Sequence, residues 1–366
     1  MSAASVPHPN RFHSELVQAG RGLAAIAVVF YHASSMYSLP KYGGRVVWAA
    51  WGEAGKHGVD FFFVLSGFII LSAHQADIGQ IARLRRYAAR RFVRIYPVYW
   101  FYLSVFLALA AVGLSNAPIA HSPANLVTAY SLIRLTSDNP PLWVAWTLFH
   151  EMVFYGLFAT LIASRRYGIA AMAAWLMLIV IMHASPGPDY PTFFSVIYDG
   201  LNVEFFLGIL VAMTFRSLNE GSAWALVGVG SVGLVAAAAG QHYYAPNVVT
   251  GLYTLTYGLA FAAILAGVVA LEMLGKLRSN RMLSWFGSAT FSIYLAHSMV
   301  ISIVYRYAAL IFKPGSQASE FLPMIVAIVA VCVCTPLFWV IEKPIIDFFR
   351  KRLEPRKTAD AQPAIA

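Results

Sequence analysis

The sequence is poor in charged residues, which make up only 11% of its 366 residues, and it contains only two cysteines, Cys332 and Cys334. Hydrophobic residues make up 59%. A soluble domain of this length does not have enough interior for so much apolar surface, so a soluble fold is excluded. Two nearby cysteines in an apolar run form neither a disulfide framework nor a metal site. The composition therefore predicts a polytopic membrane protein.

Several motifs that indicate a particular chemistry are also missing. There is no glycine-rich phosphate loop, no Gly-x-Ser-x-Gly elbow and no metal-ligand spacing, so we expect no metal cofactor. Strand patterns and internal repeats are absent as well. The N-terminal stretch MSAASVPHPNRFHSE is polar and lacks the short apolar core of a signal peptide. We therefore expect the first apolar segment to remain as an uncleaved helix.

Long apolar runs are abundant. A membrane-spanning helix needs about 20 apolar residues. Ten segments are candidates: 16–37, 56–74, 92–114, 141–163, 168–184, 192–215, 222–240, 249–272, 287–312 and 321–347. The predicted fold class is an all-α membrane bundle of about ten transmembrane helices.

The net charge of +10 follows from the predicted topology. Most Lys and Arg residues fall in the connections on the side that carries both termini, which predicts that both termini are cytoplasmic. This distribution explains the basic charge without a nucleic-acid partner, and it suits contact with anionic membrane lipids. We predict a cytoplasmic N-terminal segment at 1–13, a membrane domain at 14–350 and a disordered cytoplasmic tail at 351–366.

The first span carries two side chains that are costly in a bilayer, Arg21 and His32. Their separation places them about 20° apart around the helix axis and about 16 Å apart along it. An arginine at a helix centre costs roughly 2.5–3.5 kcal/mol on insertion scales, so this face should line protein or water. Histidine suits general-base catalysis, and the arginine suits an anion that enters from the cytoplasm. For either residue alone, a snorkelling arginine or a hydrogen-bonded core histidine is the alternative.

Other charged residues lie at the ends of the next two spans. Arg90, Arg91 and Arg94 form a cluster whose guanidinium groups match phosphate oxygens, although positive charge at this position also follows from topology alone. Asp60 is predicted to lie at the level of His32 and to orient its imidazole. The alternative for Asp60 is a carboxylate favoured at a helix start by the helix dipole.

Three further polar residues are predicted within the spans. Glu151 lies about two helical turns into the membrane, where an unpaired carboxylate is costly. We expect it to face the same cavity and either to orient the base or to contact a substrate hydroxyl. Glu204 and His297 lie mid-span and are candidates for binding substrate. A buried partner of an arginine and a structural histidine are the respective alternatives.

These motifs resemble those of the membrane-bound acyltransferase family 3, and in particular its exopolysaccharide O-acetyltransferase branch. In chain order, the matching segments are LVQAGRGLAAIAVVFYH, GKHGVDFFFVLSGFII, RRFVRIYPVYW, WTLFHEMVFYGLF, VEFFLGILVA, FGSATFSIYLAH and IEKP. Each segment alone is a weak signal, but the complete series in the family's order is highly specific. The resemblance covers about 14–350.

The resemblance implies transfer of an acyl group, usually acetyl from acetyl-CoA, to a hydroxyl of a cell-envelope or exported sugar. It places the family's Arg-x10-His signature on Arg21 and His32, and its Arg-x2-Arg element on Arg91 and Arg94. Its Trp-Thr-Leu-x-x-Glu element ends here at Glu151. Some members begin the first motif with Asp-Gly-Leu-Arg; the sequence QAGR stands there in this chain, which favours the exopolysaccharide branch.

From this resemblance we expect an inner-membrane O-acetyltransferase. Its partners would be acetyl-CoA, a polysaccharide or lipid-linked sugar acceptor and membrane lipids. The phosphates of the donor would bind Arg91, Arg94, Arg90 and Arg21, and the thioester would reach His32. Direct attack by the sugar hydroxyl and an acyl-histidine intermediate both remain open. Because the chain ends soon after the tenth predicted span, the membrane domain itself or a partner would acylate the acceptor.

The rival interpretation is a secondary transporter or flippase, which would also have many helices and buried charges. The missing repeat halves and the scarcity of prolines within the spans count against it.

Overall fold

The computed structural model describes residues 14–45, 47–114, 122–184, 193–244, 250–278, 281–308 and 320–353. Across these residues the structure is helical and contains no strand, which confirms the predicted all-α class. The helices are α1 Glu15–Tyr37, α2 Ala49–Gly55, α3 Gly58–His74, α4 Leu84–Ala111, α5 Pro123–Ser131, α6 Trp146–Ala163, α7 Arg165–Ala184, α8 Phe193–Tyr198, α9 Val203–Thr214, α10 Glu220–Tyr244, α11 Thr250–Met273, α12 Arg281–Ser288, α13 Thr290–Ala308, α14 Leu322–Cys334 and α15 Lys343–Leu353.

Nine helical segments of the described residues are long and apolar enough to cross a membrane. They correspond to all of the predicted spans except the ninth, 287–312. That region contains α13, a 19-residue helix that packs against α1 and α14. The helix carries buried polar residues such as Ser292, His297 and Ser298, and these lower its mean hydropathy. Helix α13 therefore packs within the bundle although its mean hydropathy is too low for it to count as a membrane-spanning helix.

The two ends of the chain lie mostly outside the described residues. These include the predicted N-terminal segment 1–13 and the part of the predicted tail at 354–366. Helix α15 continues to Leu353, so residues 351–353 are helical.

Helix α1 lies inside the bundle, in contact with α2, α3, α12, α13 and α14. Two side chains, one just before the helix and one distant in the sequence, accept hydrogen bonds from the backbone N–H groups of its first turn. The Ser14 side chain accepts a hydrogen bond from the Val17 backbone N–H at 2.9 Å. The carboxylate of Glu272, at the end of α11, accepts hydrogen bonds from the backbone N–H groups of Glu15 and Leu16 at 2.9 and 3.2 Å. These acceptors satisfy N–H groups that have no partner within the helix, and the negative charge suits the helix dipole.

Helices α2 and α3 run antiparallel to α1 in a register set by glycines. Gly52 lies against Ser34 near the end of α1, and Gly58 lies against Ala24 nearer its start. A Cβ atom at Gly58 would be 2.5 Å from the Ala24 carbonyl oxygen, which is too close for any larger residue. The close approach of small residues is the usual way that membrane helices pack.

The short helix α5 packs beside the middle of α4 and not beyond its end. Three aromatic side chains of α4 donate hydrogen bonds to the last carbonyls of α5: Tyr99 to Ala129 at 2.7 Å, Tyr96 to Ser131 at 2.8 Å and Trp100 to Tyr130 at 2.8 Å. The last carbonyls of a helix have no partner within it. These bonds therefore allow α5 to end within the depth of the bundle.

Candidate active site

His32 lies among rings contributed by two other parts of the fold. The ring of His297, on α13, stacks beside it with centroids 5.1 Å apart and an angle of 26°. Trp143, just before α6, meets it edge-on at 4.7 Å. We call His32, His297, Trp143, Thr147 and Tyr294 the histidine site. The structure therefore brings His297, a predicted substrate-binding residue, directly to His32.

The tautomer of His297 follows from its backbone contact. Its Nδ1 atom lies 3.0 Å from the carbonyl oxygen of Ile293. A carbonyl oxygen only accepts hydrogen bonds, so Nδ1 carries the hydrogen and Nε2 of the neutral ring carries a lone pair. His297 is fully buried, and its Nε2 has no hydrogen-bond partner among the described residues. A hydrogen-bond acceptor is thus held beside the ring of His32.

Tyr294 joins α13 to the start of α6. Its hydroxyl donates to the carbonyl oxygen of Val144 and lies 2.8 Å from the Thr147 hydroxyl. Since Tyr294 has only one hydroxyl hydrogen, Thr147 is the donor in the second bond. These two bonds hold the segment that carries Trp143 against the helix that carries His297, so both rings stay next to His32.

A second group of charges surrounds Arg94. Its guanidinium group forms an ion pair with Glu342 at 2.8 Å and lies 5.5 Å from the ring centroid of Phe291. Glu342 is fully buried. It also accepts hydrogen bonds from the backbone N–H and the hydroxyl of Ser292, at 3.1 and 2.7 Å. The predicted donor-binding residue Arg94 therefore already has a strong partner within the protein.

Arg91 and Glu151 both contact the same aromatic residue, Tyr155, in this region. The guanidinium carbon of Arg91 lies 6.0 Å from the ring centroid of Tyr87 and 5.6 Å from that of Tyr155. Glu151 accepts a hydrogen bond from the Tyr155 hydroxyl and one from Ser66 at 3.4 Å. The buried Nε of Arg91 has no hydrogen-bond partner within the described part of the chain. Arg91 thus keeps an unused hydrogen-bond donor, its Nε, in this region.

Arg21 extends this group to α1. It donates a hydrogen bond to Gln18 at 3.1 Å and lies close enough to Arg94, Glu342 and Glu151 to interact with their charges. We call Arg21, Arg91, Arg94, Glu151 and Glu342 the arginine cluster. Three guanidinium groups face two carboxylates, so the cluster keeps an excess of positive charge.

The remaining predicted donor residue, Arg90, lies half-buried on α4 beside Arg91. Its charge interacts with His74 at the end of α3.

The structure corrects the expectation that Glu151 orients His32. Helix α6 starts beside the histidine site and runs toward the start of α1. Glu151 follows Trp143 by about 12 Å along the helix axis, which brings it to the level of Arg21. Glu151 therefore belongs to the arginine cluster and not to the histidine site.

Asp60 also lies away from His32, contrary to the expectation. Gly58 packs against Ala24, which is about 12 Å from His32 along α1, and Asp60 lies further in the same direction. Its carboxylate instead contacts the Nδ1 atom of His57 at 3.0 Å. The prediction took the second span to start at 56, whereas the candidate membrane span starts at Gly52, within α2, which places Asp60 deeper in the bundle than expected.

Glu204, the other predicted substrate-binding residue, is buried beside Asp60 and interacts with its charge. His57 stacks on the ring of Tyr257 at 3.5 Å and contacts the side chain of Gln241 at 3.0 Å. These residues form a carboxylate cluster between α3, α9, α10 and α11. The structure therefore does not bring Glu204 to His32, and no arginine within the described ranges pairs with it.

Sequence reasoning missed Trp143, Tyr294 and Thr147. A signal existed for two of them. Thr147 lies within the WTL segment, and Tyr294 precedes His297 by three residues, on the same face of α13. Nothing in the sequence indicated that Trp143 would meet His32. Within the described ranges, no three His, Cys, Asp or Glu side chains are grouped so that they could hold a metal ion.

A sequence model of a known family, described as an acyltransferase domain, matches residues 17–342. The chain belongs to the acyltransferase 3 family. The histidine site and the arginine cluster both lie within the matched residues. This match confirms the resemblance that the motifs indicate.

Curated proteins with related sequences include the exopolysaccharide production protein ExoZ of Rhizobium meliloti strain 1021. It is 27% identical over 280 residues, which cover 73% of this chain and 83% of ExoZ. The putative peptidoglycan O-acetyltransferase YrhL of Bacillus subtilis strain 168 is 24% identical over 368 residues, or 89% of this chain and 54% of YrhL.

The putative O-acetyltransferase SACOL0978 of Staphylococcus aureus strain COL is 24% identical over 330 residues, or 78% of this chain and 50% of that protein. The chain thus spans about half the length of the Bacillus and Staphylococcus relatives. No solved structure shows a significant match.

Proposed function

We propose that this acyltransferase is an inner-membrane O-acetyltransferase. It transfers acetyl from cytoplasmic acetyl-CoA to a hydroxyl of a cell-envelope or exported polysaccharide, or of its lipid-linked precursor. The observation that carries the proposal is the layout of α1. One end of its polar face meets the arginine cluster, and the other end meets the histidine site. The names of the relatives, which refer to exopolysaccharide production and to O-acetylation, support this class of reaction.

The arginine cluster is the donor end of this arrangement. Its excess positive charge suits the phosphates of coenzyme A, because guanidinium groups form strong, paired hydrogen bonds with phosphate oxygens. Arg91 has unused hydrogen-bonding capacity, whereas Arg94 is engaged by Glu342. We therefore assign the main phosphate contact to Arg91, supported by Arg21 and Arg90. Glu151 acts at this end, where it holds Tyr155 and balances the arginine charges.

The histidine site is the acceptor end. Arg21 and His32 keep some accessible surface although protein surrounds them, as side chains that line an internal path would. The pantetheine arm of the donor follows this path from the arginine cluster to His32, over about 16 Å. Asp60 has no place at His32 in this arrangement.

At the histidine site, His32 removes the proton from the acceptor hydroxyl while the hydroxyl oxygen attacks the thioester carbonyl. The new C–O bond forms and the C–S bond breaks, and the departing thiolate takes the proton from His32. Nε2 of His297 accepts a hydrogen bond from a neighbouring hydroxyl of the acceptor sugar, which positions the attacking hydroxyl beside His32. The reaction then needs neither a metal nor a covalent acyl-enzyme.

The test is acetyl transfer by the purified protein in lipid nanodiscs, with labelled acetyl-CoA and a sugar acceptor. His32→Ala should lower turnover about 10²–10⁴-fold, the usual contribution of a general base. The exposed His242 provides a matched control, and His242→Ala should leave turnover unchanged. If the wild-type protein neither binds nor consumes acetyl-CoA, the acetyl assignment fails. Substrate flux through the protein without acetyl-CoA would support a transporter.

A further inference from the structure

An apolar groove of about 530 Å³ lies on the flank of the bundle, between α6 and α7. The segment after α5 and helix α8 complete its walls. Residues that line it include Leu132, Phe149, Met152, Gly156, Trp175 and Ile197. Its rim carries the exposed apolar side chains of Ile133, Leu178 and Phe193. Exposed apolar residues on a membrane protein face lipid, so the groove opens sideways into the bilayer.

One charged side chain, Arg134, contributes to the wall of this groove. Among the described residues, its guanidinium group makes one hydrogen-bond contact, a long one of 3.5 Å to the carbonyl oxygen of Ser137. Its Nε is buried without a hydrogen-bond partner, and no carboxylate pairs with it across the residues the structure describes.

The position of Arg134 makes its lack of a partner costly. It follows α5, which ends beside the middle of α4, and the adjacent Ile133 and Leu135 are about half exposed. A charged arginine within the apolar part of a membrane normally pairs with another group. A phosphate is the anion that best matches a guanidinium group in both charge and geometry.

We propose that this groove binds the lipid carrier of the sugar acceptor. A single hydrophobic tail lies between α6 and α7, and the phosphate that joins tail and sugar pairs with Arg134. The proposal rests on the proposed function, because it names the acceptor as a lipid-phosphate-linked sugar.

The path of the chain supports this assignment. From Arg134 it runs through residues 135–142 into Trp143, which contacts His32. A sugar attached to the bound phosphate therefore lies beside the segment that leads to the histidine site.

A binding assay tests the groove without requiring acetyl transfer. The probes are an isoprenyl phosphate with a photoreactive tail and the matching isoprenol without phosphate. The phosphate probe should bind the wild-type protein more tightly and should crosslink to residues of α6 and α7. Arg134→Ala should weaken it by about tenfold or more, the value of one hydrogen bond to a charged group, and Arg134→Lys should restore part of the affinity. Isoprenol binding should not change.

Two further variants make the test specific. Gly156 has open space around it, so Gly156→Phe should fill the groove and block both probes while the protein still folds. Arg306, an exposed arginine that donates to the carbonyl of Gly113 at 2.7 Å, is the matched control, and Arg306→Ala should bind the probe normally.

Equal binding of the two probes by the wild-type protein would overturn the proposal. So would displacement of the phosphate probe by an equal concentration of diacyl phosphatidic acid, which would identify the groove as a site for bilayer phospholipid. If the phosphate probe binds through Arg134 but the protein does not consume acetyl-CoA, the lipid site stands and the proposed function fails. If acetyl transfer occurs but Arg134→Ala binds the probe normally, the proposed function stands and the lipid site fails.

Discussion

Adding one methyl group where α3 and α9 cross should destabilise the protein measurably. Gly208 of α9 faces the backbone of α3. A Cβ atom at Gly208 would meet the carbonyl oxygen of Val64 and would lie 2.7 Å from the backbone nitrogen of Phe68. Both neighbours are backbone atoms, so they cannot rotate away as a side chain would. In Gly208→Ala the two helices must therefore move apart.

The size of the effect follows from two opposing terms. Overpacking of a tight contact typically costs about 1–3 kcal/mol, and a backbone clash belongs at the upper end of that range. Alanine is favoured over glycine within a helix by roughly 0.5–1 kcal/mol. We therefore expect Gly208→Ala to lower the free energy of unfolding by about 2 kcal/mol.

Gly228 on α10 is a matched control, because it is a helical glycine at which an added Cβ atom would have no neighbouring atom within 4 Å. Gly228→Ala should raise the free energy of unfolding by up to roughly 1 kcal/mol. The assay is reversible unfolding in mixed detergent micelles, with both variants measured beside the wild type. If Gly208→Ala is as stable as the wild type, or if both variants lose stability equally, the assigned helix contact is wrong.

Three other substitutions test single contacts. Glu342→Gln should lower the free energy of unfolding by about 2–3 kcal/mol, because it breaks a buried ion pair with the part-exposed Arg94; a change below about 0.5 kcal/mol would contradict this. Tyr99→Phe removes the hydrogen bond to the last turn of α5, so amide exchange in 123–131 should become faster, and unchanged exchange would refute the capping role. Tyr294→Phe should lower kcat without changing acetyl-CoA affinity, since it loosens the histidine site only; weaker donor binding would count against the separation of the two ends.

The sequence predicts the helical class, the spans and the common face of Arg21 and His32, since all of these follow from local composition and helical periodicity. It does not predict which residues meet across helices. Asp60 and Glu151 are recognisable from the sequence as carboxylates within the spans, but their distance from His32 depends on where each helix starts and on the glycine contacts that set the register. Shifts of a few residues move a side chain by a full helical turn.

Helix α5 shows a different limit. Its nine residues are too short to span a bilayer, so the region between the third and fourth spans reads as a loop. Its depth depends on hydrogen bonds from aromatic side chains on α4, such as Tyr99, and these are tertiary contacts without a local pattern. The groove beside Arg134 depends on the same placement.

The central claim is that the arginine cluster binds the donor while the histidine site transfers the acetyl group. The most direct test measures the acetyl-CoA dissociation constant and kcat for Arg91→Ala and His32→Ala side by side. The account predicts that Arg91→Ala weakens donor binding by about tenfold and changes kcat little, whereas His32→Ala retains donor affinity and loses kcat. If both variants change the same parameter, or if Arg91→Ala binds acetyl-CoA as well as the wild type does, the two-ended mechanism is contradicted.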